Sequence, residues 1–441
     1  MLFSTLTFAP AVAAAVVHVQ LTRRGLLQQS VNAINTDVGS GYSFPISLGT
    51  PPQDLSVFLG MGSGNGLTMF GCDGCQDTPF YQPNKSSTWN RTENVQGPFD
   101  VAYDTAQILG NSIPNAACAY SNSTYATPQY GLKTSQAGQL SFGLGLTASP
   151  KIQAVVPALA GTWDEPVFGL HLGSNGGQLS FGGVDNSLYQ GALTYIPTIN
   201  NRTWNFAADG LRIDAKDIDT VAYLASTAAA MAQQGATPQP VPDAQRRIVV
   251  RPEMGIDFMK LPPQLAEQMF APIAGASRTP PVLAQPNEDQ VCGSTGMPTN
   301  AGYSYNVPCN TTSTIQIKIN GTDYDIPPAK WVVQAAPGSS GGAQGACKTR
   351  VLVADNENGF GNEMYDVLVG TVFLDSIYSA YRYDATQPQI GFAQLSDKAK
   401  TTAATTSVAV AQPTTSSKNS AIRHSAGAGV LLAAAVAVFA A

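Results

Sequence analysis

The chain has 441 residues, of which 44% are hydrophobic and only 12% charged; this excludes a disordered polymer and suffices for two lobes with cores of their own. Its formal net charge of −6 supplies no basic surface to neutralise phosphates, so no nucleic-acid partner is expected. Glycine and proline are frequent, and the apolar runs are short and rich in Val, Ile, Phe, Thr and Tyr, so the expected class is mostly β.

The first segment, Leu2 to Val17, is uncharged and apolar and closes on small residues, the layout of a signal peptide over residues 1–15. A short pro-segment or linker is expected over 16–40, within which Arg23-Arg24 reads equally as a processing site or a solvated pair. Strands follow in "YSFPISLG" and "DLSVFLG", the second running into the glycine-crowded "GMGSGNG", Gly60 to Gly66. That glycine cluster has neither dinucleotide nor P-loop spacing and reads as a tight turn. "TPFYQPNKSSTW" is expected to be a loop or short helical turn. "GQLSFGGVDNSLYQGALTYIPT" alternates apolar residues with turn signals, as a β-ribbon closing a lobe would. "WNFAADGLRID" restarts the pattern, the Ala/Gln/Pro-rich Ala222 to Gln245 reads as a partly helical insertion, and "LPPQLAEQMFAPI" predicts a Pro-led helix.

"VFLGMGS", Val57 to Ser63, and "VRPEMGI", Val250 to Ile256, both follow an apolar run and share Met-Gly at one offset. The echo points to two related halves, each with a strand entering a tight turn. At the far end a Ser/Thr-rich stalk over 399–419 precedes an anchor-like signal over 420–441. Small residues at Asn419-Ser420-Ala421, a polar spacer and an apolar tail match a lipid-anchor signal of the GPI type, with Asn419 or Ser420 as the attachment residue. Sequons at Asn84, Asn90, Asn122, Asn201, Asn310 and Asn320 agree with export. A secreted, glycosylated protein of the cell surface is therefore expected, held at the plasma membrane or cell wall through its lipid anchor.

The blocks "YSFPISLGTPPQDLSVFL", "YQPNKSSTW", "VAYD", "GGQLSFGGVDNSLYQGALTYIPT", "MKLPPQLAEQM", "YNVPC" to "ACKT" and "DVLVGTVFLDSIYSAYRYDATQPQIGFAQL" resemble, in order, the pepsin-like aspartic proteases. The resemblance runs from about Tyr42 to Leu395 and implies a bilobal β fold with a central cleft, an N-terminal lobe over 41–195 and a C-terminal lobe over 196–398. It also implies a disulfide between Cys309 and Cys347, and a flap carrying Tyr103. Cys72, Cys75, Cys118 and Cys292 are left with three pairings; a redox role for Cys72 with Cys75 ranks below a structural bond in a β protein.

The same resemblance places Gly60, followed by Met61, Gly62 and Ser63, where the family has its first catalytic Asp-Thr-Gly-Ser. Glu253, followed by Met254, Gly255, Ile256 and Asp257, stands at the second Asp. Such proteases hold two carboxylates about 3 Å apart sharing one proton, one as base and one as acid. Glycine supplies neither, and Glu253, one methylene longer, is expected to overshoot, so efficient hydrolysis is not expected. Ser63, Tyr103 and Asp257 are the remaining cleft candidates, with Asp257 expected to be structural or solvent-facing. Of the three histidines only His171 lies in the body of the chain, so neither a metal cluster nor a cofactor is expected. Ser340 in "GSSGG" lacks the strand-turn-helix setting of a nucleophile. The reading is a monomeric, catalytically degenerate relative that binds a peptide, protein or wall ligand in its cleft. An atypical acid endopeptidase using Glu253 and a structural wall protein are the alternatives.

Overall fold

The computed structural model describes residues 27–36, 39–61, 67–70, 81–92, 100–108, 111–121, 140–146, 155–161, 163–173, 176–233, 247–280, 302–334, 346–354 and 365–400. The expected signal peptide, Arg23-Arg24, Ser63, Cys72, Cys75, Asn122, Cys292, Ser340, the stalk and the anchor residues lie outside them.

Alternation drives the strands. In Gln53–Gly60, Leu55, Val57 and Leu59 are buried while Asp54 and Ser56 face out, the period-two pattern of a sheet with one wet face. Where both faces are covered the alternation disappears: every residue of Val167–Gly173 is buried. That strand pairs on one side with Gly176–Phe181 and on the other with Ile377–Arg382 from the far end of the chain, Phe168 lying opposite Tyr381 and Gly169 opposite Ala380. Ile377–Arg382 pairs in turn with Gln389–Leu395, and that strand with Tyr189–Pro197. The two halves therefore share one sheet. Its register places Phe168 stacked on Tyr381, with centroids 4.7 Å apart, and Trp204 edge-on to both. Tyr189–Pro197, expected to form a ribbon with the segment before it, pairs instead with the last strand, because a long-range partner of matching pattern outcompetes the local one.

Each half repeats one device. Gln53–Gly60 runs parallel to Leu140–Gly143, which is antiparallel to Leu67–Phe70 on its other side. Ile248–Pro252 runs parallel to Val367–Val369, which is antiparallel to Met259–Leu261. In both, a strand enters a turn, returns, and encloses a later strand between its two arms. In the second half the closeness of this crossing requires glycine: a Cβ on Gly370 would stand 2.4 Å from the Ile256 carbonyl oxygen and 2.6 Å from that of Phe258. The sequence echo around the two Met-Gly pairs is this repeated device.

The Pro-led segment forms the helix Pro263–Phe270, burying Leu265, Ala266, Met269 and Phe270. The Ala-rich insertion is helical over Thr220–Gln233, and Pro83–Lys85 makes one short 3-10 turn. Cys309 and Cys347 are bonded, their Cα atoms 4.9 Å apart, because Val307 pairs with Cys347 in the adjoining strands. Cys118 corrects the expectation that it pairs: it is a buried free thiol on Asn111–Ser121, its pKa pushed up to about 12 chiefly by burial. Among the described residues, no helix is long and apolar enough to cross a membrane.

His171 sits mid-strand and buried, and its Nε2 has no hydrogen-bond partner. Burial holds its pKa below the ordinary 6.5, with the Ala399 backbone and Asp185 opposing and Lys330 assisting. Below 6.5 the unfolded chain binds the proton more readily than the folded one, so stability is lost as the pH is lowered from 6.5 until the folded imidazole also titrates. Calorimetry across this window is expected to show that slope, and His171→Leu to flatten it.

Candidate functional site

The strands Gln53–Gly60 and Ile248–Pro252 bring their ends together, Met61 after one meeting Glu253 after the other. Gln53–Gly60 ends at a half-buried Gly60, whose carbonyl accepts the Leu144 N–H at 2.8 Å, and passes into buried Met61. Ile248–Pro252 ends on Pro252, opposite Val369. Proline gives the ladder no donor; the next residue supplies it, the Glu253 N–H reaching the Val369 carbonyl at 2.9 Å. The strand can therefore finish on proline at that point without losing its anchor.

Glu253 is only 4% exposed, which for a carboxylate demands compensation. Its Oε1 accepts the Met61 N–H from the other half at 3.0 Å and the Gly255 N–H of its own turn at 3.2 Å. The longer side chain thus crosses between the halves. A Cβ placed on Gly60 would lie 3.9 Å from the same Oε1, the one described atom within 4 Å. An aspartate side chain at residue 60 would reach into the space bordered by this carboxylate.

Met61 and Met254, at 3% and 0% exposure, both join the apolar core that runs through the two halves. Neither can donate a hydrogen bond, so any cross-link here has to come from backbone N–H groups and a side-chain acceptor. Glu253 is that acceptor. Beneath it Tyr381 is fully buried, and its hydroxyl has no hydrogen-bond partner among the described residues. Burial raises the Tyr381 pKa well above the phenolic range; the Ser379 hydroxyl opposes this and the Glu253 charge adds to it.

Asp257, four residues on, turns elsewhere: it is half-buried with the Arg350 Nε at 3.8 Å. Arg251 is buried, its guanidinium 5.5 Å from the centre of the Tyr365 ring. Tyr103 is half-buried in Asp100–Ile108, between Asn90 on one side and Ala117 on the other.

Its neighbour Asp104 is the residue that sequence reasoning passed over. Asp104 has no exposed surface, and its carboxylate accepts from the Thr88 hydroxyl at 2.5 Å, the Ser86 hydroxyl at 3.0 Å, its own neighbour Thr105 N–H at 2.7 Å, and the Tyr81 hydroxyl. The signal available was the hydroxyl-rich run Ser86-Ser87-Thr88, two of whose hydroxyls, Ser86 and Thr88, find this acceptor while Ser87 donates to the Thr50 carbonyl. Among the described residues no group of three His, Cys, Asp or Glu side chains could hold a metal ion.

The eukaryotic aspartyl protease family model matches residues 41–395, and the chain belongs to that family. It is 25% identical over 393 residues to major aspartyl peptidase 1 of Cryptococcus neoformans var. grubii, covering 82% of this chain and 70% of that protein. Mouse gastricsin is 32% identical over 192 residues, 40% of this chain and 48% of the relative. A probable aspartic-type endopeptidase CTSD of Arthroderma otae is 24% identical over 301 residues, 65% of this chain and 64% of that one. The chain thus spans about half the length of gastricsin and about two thirds of the two fungal proteins.

Glu253→Gln keeps an acceptor for the Met61 N–H and is expected to cost about 1 kcal/mol, whereas Glu253→Ala strands two buried donors and should cost about 2–4 kcal/mol. Glu253→Asp, too short to span the gap, should behave like the alanine variant; chemical denaturation of the three orders them. Asp104→Ala leaves the Tyr81, Ser86, Thr88 and Thr105 donors without their shared acceptor. It is expected to lose about 3 kcal/mol or more, read as a lowered denaturation midpoint.

Proposed function

We propose that this chain is a catalytically degenerate member of the aspartyl protease family, a cell-surface glycoprotein that binds an extended peptide or another ligand in the cleft between its halves. The observation that carries the reading is the Glu253 carboxylate bound to the Met61 N–H beside a residue with no side chain. Peptide hydrolysis by paired carboxylates needs one to activate water while the other protonates the carbonyl. With Gly60 at the first position, one of those roles has no group to fill it. Glu253, for its part, is engaged as an acceptor of two backbone N–H groups.

The scaffold that forms a cleft does not depend on the acids, since it rests on the shared sheet and the repeated strand device. Five of the six sequon asparagines, Asn84, Asn90, Asn201, Asn310 and Asn320, are exposed, which suits glycans at these positions. Secretion and lipid anchoring rest on the terminal segments alone. Lobes over 41–195 and 196–398 are the division that the repeated device favours.

The test is proteolysis. An unstructured protein substrate, incubated with the protein from acid to neutral pH, is expected to survive, with no cleavage that a transition-state peptide mimic suppresses. Mimic-sensitive cleavage that disappears in Glu253→Gln would instead establish an acid endopeptidase built on one glutamate. In Gly60→Asp combined with Glu253→Asp, activity is expected to recover only in part, because Met61 and Met254 can donate no hydrogen bond to position the pair.

A further inference from the structure

Glu253 has acceptor capacity left over. Both of its hydrogen bonds fall on Oε1, and no donor reaches Oε2 among the described residues. A carboxylate offers about four lone-pair sites, so roughly half are unclaimed on a side chain that is almost wholly buried. No Lys, Arg or His among the described residues lies within ion-pair reach of it; the cations nearby in sequence or space are committed elsewhere, Arg350 to Asp257 and Arg251 over Tyr365. A buried, unneutralised carboxylate is costly to hold and gains strongly from a cationic donor.

The space for such a donor adjoins it. Gly60 offers no side chain, and around its would-be Cβ the one described atom within 4 Å is Glu253 Oε1, at 3.9 Å. Apart from its chain neighbours, no other described residue fills the position a side chain at residue 60 would take, and the group bordering it is the Glu253 carboxyl. A ligand carboxylate or phosphate is repelled there. A metal ion lacks ligands, since among the described residues no three suitable side chains converge. An ammonium group offers what the carboxyl lacks, a cationic donor for its unclaimed oxygen.

We propose that Glu253, beside the side-chain-free Gly60, receives a primary ammonium of a bound peptide on its unclaimed oxygen, so that the cleft prefers amine-bearing ligands to neutral ones of the same shape. This deepens the ligand-binding reading given above and rests on it. The loss of one acid and the lengthening of the other then act together: they exchange a site for a neutral carbonyl for a site for a cation.

Two extended peptides serve as probes, identical except for one central backbone isostere that carries a primary amine in one and a methyl group in the other. Calorimetric titration of the full-length protein at neutral pH is expected to show the amine peptide binding at least about tenfold more tightly, the scale of a charge-assisted hydrogen bond in a dry site. Glu253→Gln should abolish that preference. Gly60→Ala, whose methyl meets Oε1 at an ordinary contact distance of 3.9 Å, should reduce it severalfold while leaving the fold intact by circular dichroism, and so serves if the Glu253 variant does not fold. Equal binding of the two peptides overturns the ammonium seat and leaves the cleft reading standing. A preference that survives both substitutions also overturns the seat, by placing the amine elsewhere. If neither peptide binds, the seat and the peptide-binding reading fall together.

Discussion

One hydrogen bond organises the centre of this molecule: the Met61 N–H to the Glu253 carboxylate, between two turns 192 residues apart in sequence. Each turn is the mouth of a strand device that cannot shift independently, because its outgoing and returning strands are both tied to the strand enclosed between them. A bond between the two mouths therefore fixes the halves relative to one another at the point where they face. Its acceptor is buried and shared with the Gly255 N–H, and a hydrogen bond in such a low-dielectric setting counts for more than one at the surface. Both methionines beside it are apolar, so the glutamate is where polar cross-linking at this level resides.

The same contact links architecture to chemistry. The shared sheet, with Phe168, Trp204 and Tyr381 packed across it, sets the distance between the halves. At that distance the glutamate at residue 253 reaches the Met61 N–H of the other half. A side chain at residue 60 would enter the space beside that carboxylate. Glycine at one position and glutamate at the other are thus a matched pair in volume and charge, and a change at either alters the setting of its counterpart.

A second buried carboxylate, Asp104, does comparable work within one half. It gathers Tyr81, Ser86 and Thr88 onto the strand that carries Tyr103, tying that strand to the short turn Pro83–Lys85. Buried polar networks of this kind rigidify when every donor is met, and Tyr103 inherits its placement from its neighbour. Of the cleft candidates, Asp257 is taken by Arg350, and Glu253 is the acid that joins the two turns.

The sequence by itself determined the strands from Gly41 on, the helix after Leu261, the repeated halves and the family, because alternation, proline placement and turn residues are local properties; the strand Leu27–Thr36, expected within a pro-segment or linker, was recognised only once its partners Gly176–Phe181 and Gly39–Leu48 were in place. It also marked Gly60 and Glu253 as the positions of interest. It could not determine where the Glu253 carboxylate lands, which is across on the Met61 N–H of the other half. Cys118 was decided in the same way: its type suggested a disulfide, and its place facing the interior of a sheet left it a buried thiol. Tyr189–Pro197 found its partner at the far end of the chain, and Asp104 its three hydroxyl donors, for one physical reason. Pairing partners and buried acceptors are chosen by distances that exist only after the chain has closed on itself, and no local pattern encodes them.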